Sequence, residues 1–358
     1  MTQKLNKSRY FAIADLGSAA LRMDLFSWAG PGESLVRLED SKRILPRLGN
    51  LSTLKVENSL INLVYEELSQ FGQRVSQFEN VKIKAVGTAF LRDASDTGFL
   101  VERFSRALQS DFRVLSGEEE ASLIALGVLS FEKSLPDKLI LLDIGGGSTE
   151  VSLLSKNHKI LTSQAGEYTD PLQNSFSPYS LPIGALEISR LLSNPNNPST
   201  ESIERSINFI NNSIRSRIPN PVSFETLVGS SGTMRAFENL YRRYYQIPNP
   251  DKEGRIYDMN IEFVDELIGI IRKSSGNELD DFLESERHRK DLLVGGLLIL
   301  REVARHFSIR SVRVSKFSLR HGVLAEMLSE EMPDYKSNQE SSLKSRILCD
   351  SIYKWSLV

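Results

Sequence analysis

The stretch Asp143-Ile-Gly-Gly-Gly-Ser-Thr-Glu150 decides how this chain folds. The apolar run Leu139 to Leu142 precedes it, and apolar residues at alternate positions, Val151 and Leu153, follow it. A period of two is typical of strands, so the pattern predicts a strand, a tight glycine turn and a second strand. The three glycines permit positive φ and a close approach to a ligand. Successive N–H groups in such a turn form a concavity that binds anions.

A similar pattern occurs near the N-terminus. The apolar run Phe11 to Ala14 leads into Asp15-Leu-Gly-Ser18, and alternating apolar residues begin at Leu21. Asp15 and Asp143 lie 128 positions apart in a chain of 358 residues. One motif that recurs once at the spacing of a domain predicts two homologous halves. Because strands alternate with helices and each half begins with an antiparallel pair, we expect an α/β chain with mixed sheets.

The composition excludes several classes of protein. Hydrophobic residues make up 40% and charged residues 25%, which is typical of a globular chain. The formal net charge is −2, so no overall positive field attracts nucleic acid. The single cysteine, Cys349, excludes an intrachain disulfide. The first ten residues do not form a secretory signal and no apolar run is long enough to span a bilayer. We therefore expect a cytoplasmic protein without nucleic-acid or membrane partners.

Helical and strand patterns fill both halves of the chain. Apolar residues at helical spacing predict helices over residues 59–71, 99–108, 116–131, 201–214 and 291–307. Short apolar runs predict strands over residues 81–86, 112–115, 226–228 and 311–315. The polar residues 332–342 predict a linker, and residues 343–358 predict an amphipathic C-terminal helix.

The segment Ser116-Gly-Glu-Glu-Glu120 opens one of these helices. Ser116 and Glu119 have the spacing of a capping box, which gives Glu119 a structural role. Acidic residues in a first helical turn also suit the helix dipole, so the dipole alone is an alternative reason for all three glutamates. The functional interpretation gives Glu120 a further task, to orient or deprotonate an attacking water.

Two further features are open to two interpretations each. Gly229-Ser-Ser-Gly-Thr233 is a third anion-binding turn or a routine turn from strand to helix. The basic residues Arg289, Lys316 and Arg320 form a track for a polyanion, or they are solvated or ion-paired side chains.

In order, the motifs resemble those of the exopolyphosphatase/guanosine pentaphosphate phosphohydrolase (Ppx/GppA) family. The motifs that carry the resemblance are Asp15-x-Gly-Ser, Thr88-Ala-x-Leu-Arg92, Ser116-Gly-x-Glu-Glu-Ala121, Asp143-Ile-Gly-Gly-Gly-Ser-Thr-Glu150, Leu181-Pro-x-Gly184, Ser231-Gly-Thr233, Arg289-x-Asp291 and Leu319-Arg-x-Gly322. The triple-glycine and Ser-Gly-x-Glu-Glu-Ala strings are the specific ones, and the others gain weight from their order.

The resemblance implies an actin-like ATPase superfamily fold, in which two ribonuclease H-like domains flank an active-site cleft. On this basis we expect a disordered N-terminus over residues 1–10, a first domain over residues 11–132, a second over residues 133–330, and the linker and tail helix over residues 331–358. The chain resembles the short, two-domain form of the family, for which a homodimer is typical.

The resemblance also implies Mg²⁺-assisted removal of a terminal phosphate from inorganic polyphosphate or guanosine pentaphosphate by direct attack of water. It makes Glu120 and Glu150 the important acids and Asp143 the metal-linked aspartate. We expect Asp15, which ends the corresponding strand of the first half, to be a second metal ligand. The expected phosphate-binding residues are Gly17, Ser18, Arg22, Thr88, Arg92, Gly145, Gly146, Gly147, Ser148, Thr149, Ser231, Gly232 and Thr233.

One departure from the family pattern leaves alternatives open. The family's first turn continues Asn-Ser-x-Arg, whereas this chain has Ala19 and Ala20 before Arg22. Two side-chain donors to phosphate are missing, which predicts weaker binding by about tenfold to thirtyfold. The first alternative is therefore a weakly active or inactive regulatory protein that binds polyphosphate or guanosine tetraphosphate. The second is an actin-like ATPase or sugar kinase, since such proteins also carry two phosphate-binding hairpins.

Overall fold

The computed structural model describes residues 8–30, 35–44, 58–132, 135–154, 176–218, 224–248, 258–274 and 276–331. These residues form two compact units. Within the described ranges, the first unit holds residues 8–132 and 317–331, and the second holds residues 135–316. No helix in these ranges is both long enough and apolar enough to cross a bilayer.

The first unit is built on a five-stranded mixed sheet. Its elements are β1 (Arg9–Leu16), β2 (Ala20–Trp28), β3 (Leu35–Ile44), α1 (Asn58–Val75), β4 (Val81–Gly87), α2 (Ala89–Arg92), α3 (Thr97–Leu108), β5 (Phe112–Val114), α4 (Gly117–Phe131) and α11 (Leu319–Glu330). The strand order is β3-β2-β1-β4-β5. The first three strands pair antiparallel, and β1, β4 and β5 run parallel.

Alternation along β2 divides the two faces of this sheet. Met23 and Leu25 enter a core that includes Phe71 of α1 and Phe104 of α3. Asp24 points to the opposite face, because successive side chains of a strand alternate. There it contacts the first turn of α11. The sheet is therefore covered by α1 and α3 on one face and by α11, with α4 packed on it, on the other.

The second unit is built on a six-stranded mixed sheet. Its elements are β6 (Leu139–Ile144), β7 (Thr149–Leu154), β8 (Phe176–Leu181), α5 (Ala185–Leu191), α6 (Thr200–Arg217), β9 (Thr226–Gly229), α7 (Gly232–Tyr244), β10 (Met259–Asn260), α8 (Phe263–Lys273), α9 (Gly276–Leu283), a 3-10 helix (Glu284–Arg289), α10 (Lys290–His306) and β11 (Ser311–Val314). The strand order is β10-β11-β9-β6-β7-β8. Helix α10 is buried continuously from Leu293 to Ala304 and forms the centre of the core.

The two sheets share one topology. Counted within each unit, the first four strands lie side by side in the order three, two, one, four. The position beside strand four is taken by β5 in the first unit and by β11 in the second, where β10 adds one edge strand. In both units the first three strands are antiparallel, and the first runs parallel to the fourth. The prediction of two α/β, ribonuclease H-like halves is therefore confirmed.

The observed elements differ from the predicted ones in the strands of each hairpin and at the N-terminus. Each predicted hairpin has a third strand, β3 or β8, which the sequence pattern did not indicate. The predicted disorder through residue 10 is wrong for Arg9 and Tyr10, because both belong to β1 and Tyr10 packs on Phe78. The predicted tail over residues 332–358 lies outside the described residues.

Helix α11 belongs to the first unit, although we predicted a second domain that extends to residue 330. Gly127 of α4 and Gly322 of α11 bring the two helices into backbone contact. A Cβ atom at Gly127 would lie 2.5 Å from the carbonyl oxygen of Ser318, and one at Gly322 would overlap with that of Leu123. This close crossing fixes α11 on α4, and the sequence spacing of the motifs carries no sign of it.

Candidate functional site

In the first unit, a turn between β1 and β2 carries the first group of predicted residues. The N–H of Gly17 donates to the carbonyl oxygen of Ala20 at 3.0 Å and closes the turn. Asp15 and Arg22 are cross-strand neighbours whose carboxylate and guanidinium lie 3.8 Å apart. Ser18 is 4% exposed, and its hydroxyl has no hydrogen-bond partner among the residues that the structure describes. A buried unpaired hydroxyl is costly, by about 1–3 kcal/mol, so this atom is suited to an acceptor from a ligand.

Thr88 and Arg92 join this turn from the neighbouring strand. The N–H of Thr88 donates to the carbonyl oxygen of Leu16 at 3.2 Å, which places Thr88 directly after β4. Its hydroxyl lies near Gly17, since a Cβ atom there would be 3.8 Å from Thr88 Oγ1. Arg92 lies one helical turn later in α2, and its N–H donates to the carbonyl oxygen of Thr88. The carboxyl ends of β1 and β4 thus bring together hydroxyl, amide and guanidinium donors.

The adjacent glutamates of α4 have different roles. Ser116 and Glu119 form the predicted capping box, with hydrogen bonds of 3.1 and 2.8 Å. The Arg113 guanidinium and the N–H of Ser116 hold the pKa of Glu119 below its usual range. Glu120 is buried instead, and its carboxylate accepts from Arg92 Nη1 at 3.3 Å. The predicted base and the predicted phosphate-binding arginine are therefore in contact.

In the second unit, Asp143 and Glu150 face each other across the glycine turn. They are directly opposite in the β6–β7 ladder, so both side chains lie on one face of the sheet. Asp143 Oδ2 accepts from the hydroxyl of Ser230 at 2.7 Å. Glu150 Oε1 accepts from the hydroxyl of Ser180 at 3.0 Å. The two acids therefore lie side by side on the sheet, and each has a serine donor that the sequence motifs did not indicate.

The glycine turn itself differs from the prediction in its backbone. None of Gly145, Gly146 and Gly147 has a positive φ. The N–H of Gly145 donates to the carbonyl oxygen of Ser148 at 2.9 Å, and a Cβ at Gly145 would crowd that oxygen. Gly184 packs against Gly146 so closely that a Cβ atom would overlap with its carbonyl oxygen. Gly145 and Gly184 are therefore required by close backbone packing and not by left-handed conformation.

Thr149, one of the predicted phosphate-binding residues, has a side chain that takes part in the fold. Its side chain is fully buried, and its hydroxyl donates to the carbonyl oxygen of Ile183 at 2.7 Å. This bond ties the glycine turn to the segment before α5. The hydroxyl is thus committed to the fold, whereas Ser148 lies in the turn itself.

The turn after β9 leads into α7. Ser231 is the N-cap of this helix, and its hydroxyl accepts from the N–H of Met234 at 3.2 Å. The guanidinium of Arg289 lies directly against Gly232, and its Nε is 3.5 Å from Glu286. Thr233 follows in the first turn. The segment is therefore a strand-to-helix turn with a cation beside the helix N-terminus, and its role in anion binding stays a prediction.

The residues of the predicted polyanion track belong to both units. Lys316 is exposed directly after β11, in the second unit. Arg320 belongs to the first unit and is buried, with its Nη1 2.6 Å from Asp24 and 3.4 Å from Asp40. Its guanidinium is thus paired with carboxylates of β2 and β3, and its role in binding a polyanion stays a prediction.

Comparison with known proteins decides the family. The family model of the Ppx/GppA phosphatase family matches residues 35–331. The chain belongs to the Ppx/GppA phosphatase family. Two similar members of known sequence are named guanosine-5'-triphosphate,3'-diphosphate pyrophosphatase. The one from Photobacterium profundum is 25% identical over 96% of this chain and 64% of its own length. The one from Vibrio vulnificus is 26% identical over 99% of this chain and 66% of its own length. The chain thus spans less than two thirds of the length of these curated relatives.

Solved structures of Ppx/GppA proteins have the same fold. An exopolyphosphatase from Cytophaga hutchinsonii superposes with a TM-score of 0.74 at 19% identity, over 90% of this chain and 98% of that chain. The Aquifex aeolicus family member gives 0.70 at 21% identity, over 91% and 99%. The predicted fold class is therefore confirmed. The homodimer and the cytoplasmic location stay predictions.

The acids of this Ppx/GppA protein fit a Mg²⁺ ion that has one or two protein ligands. Within the described ranges, no three carboxylate, imidazole or thiol side chains cluster as ligands. Mg²⁺ is often bound through one or two carboxylates, with substrate phosphates and water as the other ligands. Asp143, half-buried and oriented by Ser230, fits that pattern. Asp15 fits it less well, because Arg22 lies beside its carboxylate.

Proposed function

We propose that this protein hydrolyses the terminal phosphoanhydride bond of a polyphosphorylated substrate in the presence of Mg²⁺. The substrate is inorganic polyphosphate or guanosine pentaphosphate. The observation that carries the proposal is the group of donors around Ser18, Thr88 and Arg92, with a buried carboxylate, Glu120, in contact with the arginine. Membership of the Ppx/GppA phosphatase family supports the same reaction class.

The first-unit donors suit a terminal phosphoryl group. The unpaired hydroxyl of Ser18 lies beside a backbone turn, and Thr88 adds a second hydroxyl near Gly17. A phosphate oxygen that accepts from Ser18 would remove the cost of its buried, unpaired hydroxyl. Ala19 and Ala20 contribute no side-chain donors, so we expect binding to depend on these residues and on backbone amides.

Arg92 links phosphate binding to proton transfer. A guanidinium has five N–H donors, and Nη1 already donates to Leu115 and Glu120. Nε lies 3.8 Å from Asp93 Oδ1, and we propose that the Nη2 donors bind the equatorial phosphate oxygens, whose charge redistributes in the transition state. The same contact fixes the Glu120 carboxylate, which we propose accepts a proton from the attacking water. The water oxygen bonds to the terminal phosphorus as the bridging P–O bond breaks, and the electron pair leaves with the shortened substrate.

In the second unit, we propose that Asp143 is the carboxylate that holds Mg²⁺ and that Glu150 orients water. A bound Mg²⁺ ion supplies charge neutralisation for the phosphates. Arg289, against the N-terminus of α7, adds a cation to the turn formed by Ser231, Gly232 and Thr233. Lys316 is the exposed cation at the end of β11 and is suited to the remaining charge of a longer polyanion.

The test is release of inorganic phosphate by the purified chain from each substrate, with Mg²⁺ and with a chelator. Arg92→Ala should lower the rate by at least about tenfold, since a charge-assisted contact is worth about 1.5–3 kcal/mol. Arg106→Ala is the matched control, because Arg106 forms an exposed pair with Glu102 on α3. Binding of either polyanion without any phosphate release would refute hydrolysis and favour a regulatory binding protein. Transfer of phosphate from ATP to a sugar would favour a kinase.

A further inference from the structure

A row of polar side chains crosses strands β8, β7 and β6 of the second sheet and ends at the residue after β9. Glu150 is directly opposite Asp143 on β6 and directly opposite Ser180 on β8. Opposed residues of an antiparallel pair point to the same face. On the other side of β6, Leu142 pairs with Gly229, which puts Ser230 level with Asp143. The order across the sheet is therefore serine, glutamate, aspartate, serine.

Each carboxylate in the row accepts a hydrogen bond from the serine on its outer side. Ser180 Oγ donates to Glu150 Oε1 at 3.0 Å, and both residues are buried. Ser230 Oγ donates to Asp143 Oδ2 at 2.7 Å. A hydrogen bond to an ionised acceptor is roughly twice as strong as a neutral one, and more so at a buried site. The two serines therefore hold both carboxylates in one orientation.

The backbone around these serines is held firmly. Ser180 lies on β8, an edge strand of the described sheet, and its carbonyl oxygen accepts from Arg217 Nη1 at 3.2 Å. Ser230 is anchored through its N–H, which donates to the carbonyl oxygen of Leu142 at 3.0 Å. A serine has one side-chain torsion before its oxygen, so a fixed backbone leaves little freedom for the hydroxyl. The direction of each carboxylate is fixed in turn.

We propose that Ser180 and Ser230 are positioning residues that aim the carboxylates of Glu150 and Asp143 at the reacting water and at the Mg²⁺ ion. This proposal rests on the proposed hydrolytic function. Partners that orient metal ligands and catalytic acids change activity or metal affinity by about 10–100-fold when they are removed. We therefore expect two separable effects, one on turnover and one on metal binding.

The Ser180 effect is tested by a double-mutant cycle in phosphate release. Ser180→Ala should lower kcat by about 10-fold or more with less than about a twofold change in KM, because the substrate-binding donors are untouched. Ser180→Thr, which keeps the hydroxyl, should restore most of the rate. In a Glu150→Gln background, Ser180→Ala should have little further effect. Equal losses in both backgrounds would show that Ser180 does not act through Glu150 and would overturn the proposal.

The Ser230 effect is tested by metal binding. Ser230→Ala should weaken Mg²⁺ binding, measured by calorimetry, by about tenfold or more. Unchanged Mg²⁺ affinity in a folded Ser230→Ala variant would overturn this half of the proposal. Ser206→Ala is the matched control for both serines, because Ser206 is buried in the same unit but donates only to the Ser202 carbonyl of its own helix. It should change neither turnover nor metal binding.

A stability cycle separates this proposal from the hydrolytic function. Urea midpoints are measured for wild type, Ser180→Ala, Glu150→Gln and the double variant. If the hydroxyl holds the carboxylate, the double variant loses less than the sum of the single losses. This holds even if wild type releases no phosphate, an outcome that would refute the hydrolytic function alone. Additive losses would overturn the contact between the two side chains.

Discussion

Asp24 gives the first unit a pH-dependent stability that can be worked out from its surroundings. The carboxyl is fully buried on β2. Burial raises its pKa from 3.8 to about 6, and the guanidiniums of Arg320 and Arg37 oppose that rise. Asp40, opposite on β3, has a lowered pKa, because Arg320 and Arg37 outweigh the effect of its partial burial. The cluster thus combines one carboxyl whose pKa is raised with one whose pKa is lowered.

The sign of the effect follows from proton uptake. Between pH 4 and 6 the folded protein binds a proton at Asp24 that the unfolded chain has released. Stability therefore falls as pH rises through this window. A rise of about two units in the pKa of Asp24 corresponds to a change of about 3 kcal/mol in the free energy of unfolding between the two ends of the window. Asp24→Asn removes the titrating group, so the variant should lack this fall.

Urea unfolding from pH 4 to pH 7.5 measures the effect. Trp28 is fully buried in the same unit, so its fluorescence reports on that unit in a Trp355→Phe background. As pH rises from 4 to 6, the free energy of unfolding of wild type should fall by about 3 kcal/mol relative to that of Asp24→Asn. Glu119→Gln is a control of opposite sign, because Glu119 has a lowered pKa and loses its stabilisation as pH falls. Parallel curves for wild type and Asp24→Asn would refute the raised pKa.

Three other substitutions test the packing and the cap. Gly184→Ala should lower the free energy of unfolding by more than about 1–3 kcal/mol and abolish phosphate release, because the new Cβ atom would overlap with the Gly146 carbonyl. A urea midpoint equal to that of wild type would contradict this. Gly322→Ala should lower the free energy of unfolding by at least about 3 kcal/mol, because it separates α11 from Leu123 of α4. The urea midpoint measures this loss as well. Ser116→Ala should cost only about 1 kcal/mol through loss of the cap, and a larger loss would point to a further role.

Local chemistry explains which features could be predicted from sequence. The glycine turns and the Ser116–Glu119 cap are set by residues within a few positions of one another, so their signals survive in the sequence. The separation of Glu119 from Glu120 followed from the same local logic. The opposition of Asp143 and Glu150 also follows from a short hairpin, because the register is fixed by the turn.

The features that escaped prediction depend on distant partners. An arginine such as Arg320 is usually exposed, and its carboxylate partner Asp24 lies almost 300 positions away in the sequence, so the sequence did not indicate their contact. The sequence motif places Thr149 among the phosphate donors, and only the structure shows that its hydroxyl donates to the carbonyl oxygen of Ile183. Ser180 has no motif of its own, and only the pairing of β8 with β7 reveals its contact with Glu150.

The most direct test of the proposed hydrolysis compares phosphate release by wild type, Glu120→Gln and Glu119→Gln in the presence of Mg²⁺. The two glutamates are neighbours on α4, but one contacts Arg92 and the other caps the helix. Glu120→Gln should lose about 10²–10⁴-fold in kcat while it stays folded, as expected for a general base. Glu119→Gln should keep turnover within a few-fold and lose stability instead. A folded Glu120→Gln variant with nearly wild-type turnover would contradict the role of Glu120 in hydrolysis.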